Sequence, residues 1–176
     1  MSAAEPADSP QVQPKDLHTI SLFVNNQPGV LVRVALVFSR RGFNIESLVV
    51  SPAAEGRFSR MTITCSGAPA VLEQVVKQLA KLVDVVHAID HTGDESYEVE
   101  IALVKLETAL DRRTEILQIA EHYKARVVDY GPDSMILQAY GSSEKLDALI
   151  SLLRPFRLTE LVRSGKLLMA RGVAIT

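Results

Sequence analysis

The residues best placed to do chemistry lie in one stretch, Asn25-Asn26-Gln27-Pro28-Gly29-Val30. Asn25 to Gly29 are all turn formers, and Pro28 has the fixed φ that suits the first turn of a helix. The first backbone N–H groups of a helix have no partner within it, so the turn around Gly29 to Leu31 favours an anion. Gly29 has no Cβ, so a carboxylate can approach its backbone closely. Together these features suit the carboxylate of a small amino acid.

Catalytic patterns are missing. No serine sits in a Gly-x-Ser-x-Gly elbow, and His18, His87, His91 and His122 show no metal-ligand spacing. The turn lacks the glycine and lysine pattern of a phosphate loop. His87 and His91 read as solvent-exposed residues flanking a strand end, and Glu98 and Glu100 as a solvated strand edge. Cys65 is the single cysteine, which excludes an intramolecular disulfide and a cysteine metal cluster. The pairs Arg40–Arg41 and Arg112–Arg113 read as solvated helix ends. A formal net charge of -2 and the absence of tryptophan argue against a nucleic-acid partner. No stretch is long and charge-free enough to cross a bilayer and no secretory signal is evident, so a soluble, cytoplasmic protein is expected.

Hydropathy patterning supplies the elements that position these residues. Pro6, Pro10 and Pro14 among small and polar residues predict a flexible tail over residues 1–16. Ile20, Leu22 and Val24 alternate with Thr19 and Ser21, which predicts a half-buried strand. A helix is expected over Val30–Arg41, ended by Gly42 in the left-handed conformation. Val30, Leu31, Val34, Val37 and Phe38 form its core stripe. Val32 and Leu36 lie nearly opposite and suit either scattered exposure or a second subunit. Strands follow at Phe43–Ser51 and Arg57–Cys65, then an amphipathic helix at Ala68–Lys81 and a strand at Val83–Asp90.

The order is βαββαβ, a ferredoxin-like α+β unit with two helices on one face of a sheet. Its other face presents Thr19, Ser21, Thr62 and Thr64, so it is not a base-stacking platform. The order then repeats. It runs through a strand at Tyr97–Glu107, a helix to Lys124 headed by the capping-box pattern Thr108-x-x-Asp111, a hairpin around Gly131-Pro132-Asp133, a helix capped by Ser142 or Ser143, and strands at Phe156–Val162 and Lys166–Ala170. The expected organisation is therefore a tail over 1–16, a first domain over 17–91, a linker over 92–96 and a second domain over 97–172.

The wording of the first domain resembles the ACT domain, a ligand-sensing βαββαβ module. The phrases NNQPGVLVRVALVFSRRGFNIESLVVSP, SRMTI and LEQVVKQLAKLVDVV, with ELVRSGKLLMARG near the end, are similar to the small regulatory subunit of acetolactate synthase (acetohydroxyacid synthase). That resemblance implies two tandem ferredoxin-like domains and no catalysis in this chain. It implies a large catalytic subunit as partner, which carries the thiamine diphosphate, Mg and FAD, none of them in this chain. It further implies activation of that subunit, feedback inhibition by valine or a related branched-chain amino acid, and a homodimer through ACT domains. Mapped by motif, the effector contacts are Asn26, Gly29, Val30, Asn44 and Ile45, with Asn26 and Asn44 each offering a carbonyl to the ammonium and an amide donor to the carboxylate; the plain alternatives are a turn role for Asn26 and local backbone bonding by Asn44. A free-standing amino-acid sensor acting on another enzyme or on transcription is the alternative.

Overall fold

The structure, a computed structural model, describes residues 17–173, 175 and 176. The tail expected over residues 1–16 lies outside them. The first half runs β1 (Leu17–Asn25), α1 (Val30–Arg40), β2 (Asn44–Pro52), β3 (Phe58–Ser66), α2 (Pro69–Leu79) and β4 (Val85–Asp90). The second runs β5 (Ser96–Glu107), α3 (Arg113–His122), β6 (Arg126–Tyr130), β7 (Ser134–Gly141), α4 (Ser143–Leu153), β8 (Leu158–Arg163) and β9 (Leu167–Ala170).

Two antiparallel sheets result, ordered β2-β3-β1-β4 and β6-β7-β5-β8. The same order appears twice because the same βαββαβ pattern is written twice. In the first sheet, Ile20 faces Ile63 and Leu22 faces Met61 across β1 and β3. These residues meet Val34 and Phe38 of α1 and Leu72, Val75 and Leu79 of α2 in one dry core. Each such side chain contributes about 1.5–3 kcal/mol on leaving water. The second core joins Ala102, Val104 and Leu106 of β5 to Met135 and Leu137 of β7 and to Ile116, Leu146, Leu149 and Leu153 of the helices. β5 serves twice: its first residues pair with β9, and its later ones with β7 and β8.

Several elements depart from their sequence-based expectation. Pro28 precedes α1 rather than opening it; Gly29 caps the helix at φ 84° and ψ -11°, a left-handed conformation that disfavours other residues. Leu31, expected in the core stripe, is exposed along with Val32 and Leu36. The Thr108-x-x-Asp111 capping box does not form. Thr108 Oγ1 donates to the Ala109 carbonyl instead, and a short 3₁₀ turn over Leu110–Arg112 precedes α3. At α4 the cap does form, with Lys145 N–H donating to Ser142 Oγ at 3.4 Å.

The first sheet's polar face is not open to solvent. Thr19, Ser21, Thr62 and Thr64 are all buried. His91 Nε2 meets Ser21 Oγ at 2.8 Å, and the His91 N–H donates to the Thr19 carbonyl at 2.8 Å. Further along, Arg60 and His87 both donate to the Thr176 carbonyl. Phe23 on this face stacks on His87, with ring centroids 5.2 Å apart. Thr92 of the linker, Gly165 and Thr176 thus lie against the sheet. His91, only 4% exposed, is a buried anchor and not a solvated flank. Among the described residues, no helix is long and apolar enough to cross a membrane.

Candidate functional site

The turn between β1 and α1 is built from both sides. Asn25 N–H donates to the Asp84 carbonyl at 2.8 Å, and Asn26 N–H to the Arg57 carbonyl at 2.9 Å. These bonds fix the loop that delivers Gly29 to the helix start. No side chain caps α1 at Gly29; the Val30 N–H reaches the Gln27 carbonyl at 3.5 Å, and the amides that follow stay directed at the loop mouth. Arg33, one helical turn on, adds a cation that sequence reasoning missed. Its Nε donates to Asp84 Oδ2 at 2.8 Å, and its Nη1 lies 3.2 Å from where a Cβ on Gly29 would stand. Asp84 is buried, so the guanidinium is tethered beside the turn. The available signal was weak: an arginine at i+4 from Gly29 and one acid inside an apolar run.

Asn44 and Ile45 sit elsewhere. They open β2 just beyond the other end of α1, an element of 11 residues and so about 16 Å long. A shallow hollow of about 430 Å³, lined by Ala35, Ser39, Gly42, Phe43, Asn44 and Ile45, lies there. One protomer therefore brings Asn26, Gly29 and Val30 together and keeps them apart from Asn44 and Ile45. The asparagines also have their amide donors engaged. Asn26 Nδ2 donates to the Gly56 carbonyl at 3.2 Å, and Asn44 Nδ2 to Glu46 Oε1 at 2.7 Å. Their Oδ1 atoms suit an ammonium group, which leaves the helix start and Arg33 as the donors for a carboxylate. Val30 is buried and Ile45 half-buried, both at the apolar margin of their respective ends.

Family models match most of the chain. Residues 20–87 match the AHAS small subunit-like ACT domain, and residues 99–172 match the small subunit of acetolactate synthase. The acetolactate synthase small subunit of Mycobacterium leprae is 42% identical over 155 residues, 88% of this chain and 92% of that one. The chain belongs to the acetolactate synthase small-subunit family. The Aquifex aeolicus acetolactate synthase small subunit is 42% identical over 159 residues, covering 90% of this chain and 83% of that protein. The crystal structure of the acetolactate synthase small subunit from Thermotoga maritima superposes with a TM-score of 0.79 at 33% identity, over 90% of this chain and 99% of that one. The two tandem ferredoxin-like sheets are thus the family fold.

One edge of the first sheet and the helix face beside it stand out. β2, which carries Asn44 and Ile45, is an edge strand of the first sheet. Val32 of α1 is 62% exposed, and Leu31, Leu36 and Val50 of β2 are also exposed. An apolar helix face beside an open strand edge is unusual for a surface left alone in water.

A second polar cluster lies where the domains meet. Glu100, 5% exposed, accepts from Arg163 Nε at 2.9 Å and from Ser143 Oγ at 2.6 Å, while Arg163 Nη1 reaches Asp147. Burial opposes the Arg163 charge, but Glu100 and then Asp147 outweigh it and raise its pKa. Glu100 is therefore an interior ion-pair member and not the solvated edge expected. Arg113, expected at a solvated helix end, is 3% exposed; its Nη2 donates to the Gly131 carbonyl at 2.8 Å and its guanidinium covers the Tyr130 ring.

Proposed function

We propose that this chain is the regulatory partner of a large, thiamine-diphosphate-dependent acetolactate synthase subunit in the cytoplasm, raising its activity and conferring feedback inhibition by valine or a related branched-chain amino acid. In this reading the effector lies between two ACT domains of a homodimer. The observation that carries it is the split of the site. Asn26, Gly29 and Val30 lie at one end of α1, and Asn44 and Ile45 lie beyond the other, on an edge strand flanked by exposed Leu31, Val32 and Leu36. Pairing two copies about a two-fold axis joins the amino end of one helix to the β2 start of the other chain. The effector's carboxylate then faces the helix amides and Arg33, its ammonium the asparagine Oδ1 atoms, and its branched side chain Val30 and Ile45. The helix terminus supplies about 0.3–1 kcal/mol, so the enclosed apolar contact and the hydrogen bonds supply the rest.

A ligand held by two protomers favours one arrangement of the pair over another, and a coupling of about 1–3 kcal/mol is enough for feedback. Thiamine diphosphate, Mg and FAD belong, in this reading, to the catalytic subunit alone. The test is reconstitution: the chain is mixed with its large subunit and acetolactate formation is followed as valine, leucine and isoleucine are added. Activation on mixing and inhibition by one of the three support the reading. A chain that neither associates with the large subunit nor alters its rate refutes it.

A further inference from the structure

A second concavity lies away from the Gly29 turn. It is a cleft of about 1060 Å³ between the two domains, walled by β2 and β3 on one side, the amino end of α4 on the other, and the linker at its floor. Thr64 of β3 faces it and is 8% exposed, yet its hydroxyl finds no hydrogen-bond partner. The basic groups along the cleft are largely neutralised already. Lys166 pairs with Glu98 at 2.7 Å, and Arg163 pairs with Glu100 and Asp147. Glu46, Asp94 and Glu144 remain, with no lysine or arginine partner among the described residues, against Arg171. Two of these carboxylates are held firmly ionised. Ser66 and then Asn44 donate to Glu46 and lower its pKa, and the backbone N–H of Glu144 and then Ser142 do the same for Glu144.

We infer that this cleft is the docking groove for a lysine- or arginine-bearing segment of the catalytic subunit. The inference rests on the preceding reading and adds the contact surface to it. Net acidic charge on both walls, a buried hydroxyl awaiting a partner and room for several side chains together suit a basic segment. The groove also adjoins the effector site through one residue. Asn44 Nδ2 holds Glu46 Oε1 at 2.7 Å, and Ser66 Oγ holds the same oxygen at 2.5 Å. An effector that turns Asn44 toward itself leaves Glu46 on Ser66 alone and changes how its carboxylate meets the groove. Glu46 is thereby the positioning residue between effector and partner.

The test uses the full chain and the catalytic subunit, with Glu46→Gln, Glu144→Gln and, as a remote control on α3, Glu121→Gln. Binding to the catalytic subunit is measured at about 50 and 300 mM salt. Glu46→Gln and Glu144→Gln each weaken association roughly 3- to 10-fold at the lower salt and less at the higher, as loss of a complementary charge does. Glu121→Gln leaves it unchanged, and valine calorimetry on Glu144→Gln matches the wild type. Wild-type association by both groove variants, a loss confined to one wall, or an equal loss in Glu121→Gln overturns the groove while leaving the regulatory reading intact. A wild-type chain that does not bind the catalytic subunit overturns both.

Discussion

Replacing Gly29 with aspartate places a carboxylate where the effector's own carboxylate is to sit. At φ 84° a Cβ on this residue meets Arg33 Nη1 at 3.2 Å and Arg33 Cζ at 3.9 Å, with no backbone atom within 4 Å. The side chain therefore fits once Arg33, half-exposed, swings a few tenths of an ångström. The left-handed backbone costs about 1 kcal/mol for aspartate, a small part of the roughly 5–15 kcal/mol that holds a domain folded. Two like charges about 4 Å apart repel by about 4 kcal/mol at an effective dielectric of 20 and by about 1 kcal/mol in water. The turn lies at the surface, so about 2 kcal/mol, or roughly 30-fold in affinity, is expected. Arg33 turning to the new carboxylate adds to the loss. Calorimetric titration of valine into wild type, Gly29→Ala and Gly29→Asp separates the terms, because alanine carries the backbone strain without the charge. Undiminished valine affinity in a folded Gly29→Asp protein refutes the carboxylate assignment.

Charge on the exposed face of α1 should break the dimer: Val32→Glu with Leu36→Glu is expected to sediment as a folded monomer, and an unchanged dimer mass rules that face out. Removing Glu100 leaves the part-buried Arg163 with Asp147 alone, so Glu100→Ala should lower stability by about 2 kcal/mol, read by urea unfolding; a change below about 1 kcal/mol contradicts the interior role. Burial, reinforced by Asp90 and Glu46, pushes the Cys65 thiol up to about 12. The native protein should therefore resist alkylation at pH 8 and react at once when unfolded. The same shift means the folded state keeps a proton that the unfolded chain loses above about pH 9, so this residue's contribution weakens stability as pH rises from there.

The strands and helices were legible because each sheet buries one face against helices, which writes a clean alternation at Ile20, Leu22 and Val24 and at Met61, Ile63 and Cys65. The opposite face misled. Thr19, Ser21, Thr62 and Thr64 read as the open side of half-buried strands, yet all four are buried, with Thr92 on Thr19 and His91 on Ser21. Periodicity reports polarity, and a polar face covered by polar groups gives the same pattern as a wet one. Glu100, His91 and Arg113 escaped for a related reason. Their partners Arg163, Ser21 and Gly131 are far away in sequence, and no local pattern encodes such pairs. At the candidate site, turn chemistry pointed to Gly29, and the family motif to Asn26, Val30, Asn44 and Ile45. The helix expected over Val30–Arg41 already divided the two groups; that Arg33 leans over the turn is visible only in the structure.

The covering of the first sheet has a consequence for synthesis. That sheet is complete at Asp90, but the part of it around Ser47, Arg60 and His87 closes only when Gly165 and Thr176 have come back against it. At about 5–20 residues per second the nascent chain carries the bare face for several seconds. A valine-rich surface in that position would invite neighbouring ribosomes' products to stick. Polar side chains tolerate both the wet interval and the covered end state, which is a reason for Ser47, Arg60 and His87 to occupy strand positions that the returning chain later covers.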